Sequence, residues 1–351
     1  MSWLTELARP EIRTLSPYQH AGWEPGLVRL HANELPWRAP LDDSQAGLNR
    51  YPEPHPHQLA ERLAQLYGVS ARSVLVGRGS DEAIDLLTRS FCRAGEDAVL
   101  ITPPTFGMYA VAARIQGARV IEVPLRREQN FALDGMALRA ALSANVKLVY
   151  LCSPNNPTGN LLDRAELLGL ARDLAGRALL VVDEAYIEFS GADSLTSELS
   201  AHPALVVLRT LSKAYGLAGA RCGAVLAHPE IIELLRKVIP PYALTQLSIE
   251  AVLRTLQPMH LPLAAQRVAE LIAERERLLQ GLSAKREVRR VWPSHANFLM
   301  VDFADAGAAL ERVHAAGLLV RDLRASAALG SALRISVGTA EHHHRLLANL
   351  Q

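Results

Sequence analysis

The 351-residue sequence has few aromatic residues, three cysteines and almost no net charge. Aromatic side chains make up 5% of the chain, which argues against a base-stacking platform for nucleic acids. Lys and Arg total 37 against 36 Asp and Glu, so no positive excess indicates a nucleic-acid or membrane partner. No apolar run approaches the roughly 20 residues that span a bilayer, and the N-terminus shows no apolar signal segment.

The cysteines and histidines show no metal-binding pattern. Cys92, Cys152 and Cys222 form no CxxC motif, and no cysteine–histidine group has metal-ligand spacing. Three cysteines cannot all pair internally, so the simplest interpretation is a reduced, cytoplasmic protein. The histidine run 342–344 lies within a helical pattern, and we interpret it as a surface feature of a helix.

Short apolar runs alternate with longer helical patterns in the first two thirds of the chain. Strands are predicted over 73–76, 98–102, 118–125, 146–153, 178–185, 204–212 and 222–227, and helices over 81–92, 109–116 and 165–175. Runs this short and this rich in Val, Leu and Ile are typical of strands buried on both faces. Their alternation with helices predicts an α/β fold with a mainly parallel sheet between helices.

The pattern changes after Pro240 and Pro241, which break the preceding helix. A long helix, three short strands and a final helix are predicted over 263–282, 296–303, 317–323, 332–338 and 340–350. These patterns indicate a smaller α+β domain. We therefore predict an N-terminal arm over 1–25, a large domain over 26–240 and a small C-terminal domain over 241–351.

Four segments in a fixed order carry the chemistry: SPNNPTG (153–159), VVDEAY (181–186), TLSK (210–213) and Arg221. Taken singly, these are ordinary features: a turn, a helix cap and a solvated lysine. Pyridoxal phosphate unites them, because it needs a lysine for a Schiff base and a carboxylate for its ring nitrogen. Its phosphate needs hydroxyls, amides and a cation.

The residues that meet these needs are Lys213, Asp183, Thr210, Ser212 and Arg221. Two further side chains can reach the 3′-oxygen of the cofactor. Tyr186 lies three residues after Asp183, and Asn156 can approach the same oxygen from the other side.

With these motifs in order, the sequence resembles the aspartate-aminotransferase-type (fold type I) pyridoxal-phosphate enzymes. More narrowly, it resembles the histidinol-phosphate aminotransferase family, and the resemblance covers nearly the whole chain. Further matching segments are SPYQ (16–19), HANELP (31–36), NRYPEPHP (49–56), VGRGSDEAIDLL (76–87), PPTFGMY (103–109) and LRISVG (333–338).

The resemblance implies roles for individual residues around the cofactor. Lys213 would carry the cofactor and shuttle a proton, assisted by Asp183 and Tyr186. Cofactor contacts are implied for Ser80, Asp81, Phe106, Asn156, Asp183, Tyr186, Thr210, Ser212, Lys213 and Arg221, and for Tyr51 of a neighbouring subunit. Phe106 stands where the family often has a tyrosine.

The resemblance also implies a set of substrate contacts. Arg334 matches the arginine that binds the substrate's anionic group. Arginine suits this role because its planar guanidinium binds carboxylate or phosphate bidentately. Arg321 and Tyr18 match additional phosphate contacts. In HANELP, Asn33 and Glu34 match site-lining residues, whereas the following leucine departs from the commoner pattern of an aromatic residue or Asn.

The function that the resemblance implies is transamination between histidinol phosphate and 2-oxoglutarate, giving imidazole-acetol phosphate and glutamate, in L-histidine biosynthesis. The active unit would be a homodimer with shared active sites. Two enzymatic alternatives share nearly every cofactor residue: an aromatic or broad-specificity aminotransferase and a phosphothreonine-type decarboxylase. A third alternative is a non-catalytic regulator of the same fold, against which the intact Lys213 argues.

Overall fold

The computed structural model describes residues 2–19, 22, 24 and 26–351 as an α/β chain built on two sheets. The strands are β1 (Val74–Gly77), β2 (Ala98–Ile101), β3 (Arg119–Glu122), β4 (Val146–Cys152), β5 (Leu179–Asp183), β6 (Leu205–Thr210), β7 (Gly223–Ala227), β8 (Val288–Val291), β9 (Phe298–Phe303), β10 (Arg321–Asp322) and β11 (Ala332–Ser336). The helices are α1 (Trp3–Leu7), α2 (Pro10–Thr14), α3 (His57–Tyr67), α4 (Ser80–Phe91), α5 (Met108–Gln116), α6 (Gly135–Ala141), α7 (Arg164–Asp173), α8 (Pro229–Arg236), α9 (Gln246–Thr255), α10 (Leu261–Ser283), α11 (Ala306–Ala315) and α12 (Ala340–Ala348).

The larger sheet has the strand order β1-β7-β6-β5-β4-β2-β3. The strands from β6 to β3 run parallel to one another, whereas β7 runs antiparallel to both β6 and β1. The prediction of a mainly parallel sheet is therefore confirmed. Strands β2, β5, β6 and β7 are buried along their whole length, as their apolar runs indicated.

Helices cover both faces of this sheet because both faces are apolar. Along β4, Leu148 and Tyr150 belong to one core, and Val149 and Leu151 to the other, since successive strand side chains point to opposite faces. Helices α1, α4, α5 and α8 pack on the first face, and α3, α7 and α9 on the second. The result is three layers with the sheet in the middle.

The N-terminal segment contains more regular structure than its sequence suggested. Its first residues form α1 and α2, and Leu4 and Leu7 are buried in the same core as α8. Leu4 and Leu7 lie three residues apart and so share one helix face. A five-residue helix is too short to show a period in the sequence. Residues 1, 20, 21, 23 and 25 of the predicted arm lie outside the described residues.

The smaller sheet is antiparallel, with the order β10-β11-β9-β8. Helices α10, α11 and α12 cover one face through an apolar core of their own. Helix α9 follows Pro241 but packs in the core of the large sheet, through Ile249 and Val252. The division of the chain at residue 240 remains a prediction, and the packing of α9 favours a boundary after this helix.

The histidine run is only partly a surface feature. His343 is buried, and its Nε2 accepts a hydrogen bond of 2.9 Å from the Gly338 N–H. Its Nδ1 lies 3.1 Å from a carboxylate oxygen of Glu274 on α10. The surface interpretation was therefore wrong for His343, because α12 turns this side chain towards α10.

Candidate active site

The carboxyl ends of the parallel strands meet at one edge of the large sheet, and the motif residues follow these ends. Asp183 ends β5, Thr210 ends β6, and Asn156 follows β4. Strand β7 runs in the opposite direction, so its beginning lies at the same edge and brings Arg221 there. Ligands of such sheets usually bind outside the carboxyl ends of the strands.

A cavity of about 620 Å³ opens at this edge. Twelve of the sixteen residues predicted from the sequence line it: Ser80, Asp81, Phe106, Asn156, Asp183, Tyr186, Thr210, Ser212, Lys213, Arg221, Arg321 and Arg334. The other four, Tyr18, Asn33, Glu34 and Tyr51, do not line this cavity of their own chain. Sequence motifs spread over 255 residues of the chain, from 80 to 334, thus converge on one space.

Asp183 lies buried at the bottom of the cavity. One of its carboxylate oxygens accepts a hydrogen bond of 2.8 Å from the Tyr109 hydroxyl, and the other accepts one of 3.1 Å from the Ala185 N–H. Burial raises the pKa of Asp183 to about 6, although both hydrogen bonds act to lower it. A carboxylate held in such a place is stabilised by a cationic partner, such as a protonated ring nitrogen.

Lys213 projects into the same cavity, with its Nζ 5.7 Å from the ring centre of Tyr186. Partial burial lowers the pKa of Lys213, and the positive charges of Arg334 and Arg221 lower it further. A lowered pKa means that the amine loses its proton at a lower pH than an ordinary lysine. The neutral amine is the form that can attack a carbonyl or accept a proton.

One end of the cavity is built to hold an anion. Helix α4 begins there at Ser80, after Gly79 with a φ of 88°. The Ser80 hydroxyl is buried and has no hydrogen-bond partner among the described residues. Arg221 lies beside it and donates to Asp81 over 3.2 Å and to the Ser212 hydroxyl over 3.5 Å. Free amides at a helix N-terminus, together with a guanidinium and an unpaired hydroxyl, fit a phosphate group.

Gly79 is required for this arrangement. Its positive φ disfavours any residue with a side chain. A Cβ at this position would also lie 3.2 Å from the Arg221 Nη2. The glycine therefore leaves room for the guanidinium at the start of α4.

Two arginines from the small sheet stand at the other end of the cavity. Arg321 on β10 and Arg334 on β11 are directly paired in the antiparallel register. Arg334 donates a hydrogen bond to the Asn156 side-chain oxygen and lies over the ring of Phe298, 5.1 Å from its centre. Two guanidinium groups side by side favour a substrate that carries a negative charge.

Tyr186 lies beside Asn156, the residue that Arg334 contacts. Its hydroxyl accepts a hydrogen bond of 3.4 Å from the Asn156 side-chain amide, and its ring packs edge-on against Phe298. Burial raises the pKa of Tyr186, so the phenol keeps its proton and can donate a hydrogen bond to a ligand.

The sequence analysis missed Tyr109, which is the side chain that holds Asp183. Tyr109 is fully buried, stacks on Tyr150 with ring centres 4.9 Å apart, and donates to the Asp183 carboxylate. It belongs to the matching segment PPTFGMY and lies three residues after Phe106. Its place in a matching segment beside Phe106 was a usable signal, and the two rings pack edge-on with their centres 5.7 Å apart.

Tyr18, Glu34 and Tyr51 lie together on another part of the surface. Tyr51 is half-exposed and stacks on Tyr242, with ring centres 4.7 Å apart. Glu34 accepts hydrogen bonds from the Tyr51 N–H over 2.7 Å and from Arg50 over 2.9 Å. Burial raises the pKa of Tyr242, and nearby Tyr18, Glu34 and Tyr51 add to this effect. We call Tyr18, Glu34, Tyr51 and Tyr242 the tyrosine cluster.

Other kinds of site find little support. In the part of the chain that the structure describes, no three His, Cys, Asp or Glu side chains are grouped to hold a metal ion. Within the same part, no helix has the length and apolar character needed to cross a membrane. Cys152 lines the cavity, but burial raises the pKa of its thiol, which therefore stays protonated.

The sequence matches the profile of the family "aminotransferase class I and II" over residues 30–350. The chain belongs to this family. It is similar to the histidinol-phosphate aminotransferase of Stenotrophomonas maltophilia (strain R551-3), with 49% identity across 98% of this chain and 95% of the relative. A relative of the same name from Xylella fastidiosa (strain 9a5c) is 48% identical across 99% of this chain and 96% of its own length.

A solved structure confirms the fold assignment. The histidinol-phosphate aminotransferase from Sinorhizobium meliloti, in complex with pyridoxal-5′-phosphate, aligns with a TM-score of 0.75 at 27% identity, covering 85% of this chain and 81% of that one. The class I and II aminotransferases depend on pyridoxal phosphate, and this chain is an aminotransferase with that cofactor.

The cavity of this aminotransferase fits the cofactor on its own evidence. The unpaired Ser80 hydroxyl and the start of α4 suit the phosphate, and the buried Asp183 suits a ring nitrogen that carries a proton. Lys213 lies in the same cavity with a lowered pKa, as an amine that bonds to an aldehyde requires.

Proposed function

We propose that this enzyme transfers the amino group of histidinol phosphate to 2-oxoglutarate, giving imidazole-acetol phosphate and glutamate, in L-histidine biosynthesis. The observation that carries the proposal is the pairing of Arg321 and Arg334 at the mouth of the cofactor cavity. The two relatives at 48% and 49% identity, which carry the name histidinol-phosphate aminotransferase, support the same substrate.

The cofactor-binding residues divide into three groups. The phosphate group would be held by the backbone amides of Ser80 and Asp81 at the start of α4, and by the side chains of Ser80, Thr210, Ser212 and Arg221. The 3′-oxygen would be held by Asn156 and Tyr186. Phe106 would stack on the ring and Asp183 would pair with its nitrogen. When bound, pyridoxal phosphate supplies an aldehyde for the amino group and a ring that withdraws electrons from the substrate's Cα.

Lys213 is the residue that we propose to move the proton. The lowered pKa of the amine favours its unprotonated form, which is the form that can accept the proton from the substrate's Cα. Asp183 would act through the ring nitrogen: by keeping this nitrogen protonated, it would allow the ring to draw in the electron pair that the departing proton leaves on Cα. Arg334 orients the substrate by pairing with its anionic group, from its place beside Asn156.

A donor screen tests the proposed reaction. The holoenzyme, with 2-oxoglutarate as the amino acceptor, would be mixed separately with histidinol phosphate, phenylalanine and phosphothreonine, and the products would be identified. We expect imidazole-acetol phosphate from histidinol phosphate and its fastest turnover among the three donors. Release of carbon dioxide from phosphothreonine would instead identify a decarboxylase, and faster turnover of phenylalanine an aromatic aminotransferase.

Arg321→Ala should damage turnover of the phosphorylated substrate most. A charged hydrogen bond is worth about 1.5–3 kcal/mol, so kcat/KM for histidinol phosphate should fall roughly ten- to a hundred-fold. Turnover of glutamate should change less, because we propose that its carboxylate pairs with Arg334. Steady-state kinetics with both substrates measure this difference. Equal losses for histidinol phosphate and for unphosphorylated histidinol would show that Arg321 does not bind the phosphate.

We also propose that the enzyme is a homodimer in which Tyr51 and Tyr18 complete the partner's active site. Among the described residues from 15 to 51, ten large apolar side chains are exposed: Leu15, Tyr18, Leu27, Val28, Leu30, Leu35, Trp37, Leu41, Leu48 and Tyr51. So much exposed apolar surface in one segment is typical of an interface. The tyrosine cluster lies in this surface, outside the cavity of its own chain.

Mixing two inactive variants tests the shared site. Tyr51→Ala and Lys213→Ala should each be inactive at low cofactor concentration. After subunit exchange, each mixed dimer should contain one site with both native side chains. Half of the dimers in an equal mixture are mixed, so activity should return to about a quarter of the wild-type value. If mass spectrometry shows exchange and no activity returns, Tyr51 does not act across the interface.

A further inference from the structure

Arg127 belongs to the large domain but makes its strongest contacts with the small sheet. It begins the single turn of 3-10 helix Arg127–Gln129 that follows β3. Its Nη2 donates to the Asp302 carboxylate over 2.6 Å, and its Nη1 donates to the Ala328 carbonyl over 2.8 Å. Its guanidinium also lies 5.0 Å from the ring centre of Trp292. Arg127 does not line the cofactor cavity.

Both hydrogen bonds end beside the strands that carry the substrate-binding arginines. Ala328 lies in the middle of the loop 323–331, which joins β10 to β11. Asp302 lies on β9, directly opposite Ala332, the first residue of β11. Arg127 therefore touches the loop between Arg321 and Arg334 and the strand next to it.

The Asp302 carboxylate has few hydrogen-bond partners besides Arg127. One of its oxygens accepts hydrogen bonds from both Arg127 and the Trp292 indole N–H, the latter over 3.0 Å. The other oxygen is buried and has no partner among the described residues. A largely buried carboxylate with so few partners depends on its cation, because an unpaired charge becomes costly where most water is excluded.

Apolar contacts fasten the same loop to the large domain. Leu329, next to Ala328, is buried in the core that also contains Phe131 and Trp292. The rings of Phe131 and Trp292 lie 4.7 Å apart. The loop is therefore held by a buried leucine and by the Arg127 hydrogen bond at neighbouring positions.

We propose that Arg127 is a positioning residue for substrate binding: it fastens the β10–β11 hairpin to the large domain and so sets where Arg321 and Arg334 stand relative to Asn156. The inference rests on the proposed function, because it takes these two arginines to be the substrate's anion ligands. It adds a residue that acts on the substrate from outside the cavity.

Arg127→Met tests the proposal, and Arg126→Met is a matched control. Arg126 pairs with Asp134 within the large domain, and the two side chains are 35% and 20% exposed. The Arg127 and Asp302 side chains are similarly exposed, at 38% and 14%. Both variants thus lose a comparable arginine–aspartate pair, but only Arg127→Met loses a contact with the small sheet.

We expect Arg127→Met to raise the KM for histidinol phosphate about tenfold, equivalent to 1.4 kcal/mol, while kcat changes less than about twofold. The visible absorbance of the bound cofactor should stay as in the wild type. Amide hydrogen exchange over 323–331 should become faster. Arg126→Met should show neither the KM increase nor the faster exchange, even if both variants lose similar thermal stability.

Asp302→Asn provides a second variant, which removes the charge but keeps an oxygen for the Trp292 N–H. It should reproduce the KM increase and the faster exchange. The proposal is overturned if Arg127→Met and Arg126→Met have the same KM and the same exchange over 323–331. Failure of the proposed function looks different: the wild type would then not turn over histidinol phosphate, while the exchange experiment would still report on the Arg127 contact.

Discussion

Lys213→Ala should abolish turnover while the protein still folds. Lys213 lies in the cavity with a lowered pKa, and loss of a positioned acid–base group costs up to about ten thousand-fold in rate. The variant should still bind pyridoxal phosphate through the phosphate-binding end of the cavity, because those contacts come from other residues. It should lose the covalent bond to the cofactor that borohydride reduction makes permanent. Peptide mapping after reduction measures this bond directly.

The composition of the chain makes the mapping decisive. The sequence contains four lysines, at 147, 213, 237 and 285. Lys237 is a suitable control, because its Nζ donates to the Arg13 carbonyl over 2.8 Å, away from the cavity. Lys237→Ala should therefore keep the reducible bond and its activity. A cofactor label on any lysine other than Lys213 would refute the assignment.

Asp183→Asn should lower kcat about a hundred- to a thousand-fold, the usual scale for removing one preorganised electrostatic group. The amide can still accept the hydrogen bond from Tyr109, so the fold and the stack on Tyr150 should persist. It cannot pair with a protonated ring nitrogen as a carboxylate does. The measurement is steady-state kinetics with saturating substrates, with circular dichroism as the control for folding. A kcat within threefold of the wild type would remove Asp183 from the mechanism.

The same variant should change how the cofactor-free protein responds to pH. Burial raises the pKa of Asp183 from 3.8 to about 6, so between these values the folded protein binds more protons than the unfolded chain. Stability from this group is therefore present below about pH 4 and is lost as the pH rises through about 6. Asp183→Asn does not lose stability in this way as the pH rises. Its stability relative to the wild type should therefore be greater at pH 8 than at pH 5. Thermal melts of both cofactor-free proteins at these two pH values test the sign.

The sequence alone determined the chemistry of the cavity, because the motifs that carry it are local. Strand ends and the turns after them are read directly from neighbouring residues, as in VVDEAY or TLSK. Parallel strands then bring their carboxyl ends together whatever the loops between them do. For this reason ten of the twelve predicted residues that line the cavity come together at the edge of the large sheet, whereas Arg321 and Arg334 come from the small antiparallel sheet. The buried strands were visible for a similar reason, since short apolar runs bounded by turns need no tertiary information.

Only the tertiary structure decided which side chains support the cavity residues from distant positions in the chain. It also decided which surface carries the predicted residues that lie outside the cavity. Tyr109 and Asp183 are 74 residues apart, and Arg127 and Asp302 are 175 apart, so no local pattern links either pair. The burial of His343 and Leu4 depends on α10 and α8, which pack against them from distant parts of the chain. The tyrosine cluster likewise lies on a different surface from the cofactor cavity of the same chain. Contacts between distant segments follow from how the layers pack, and a sequence pattern reports only on neighbours.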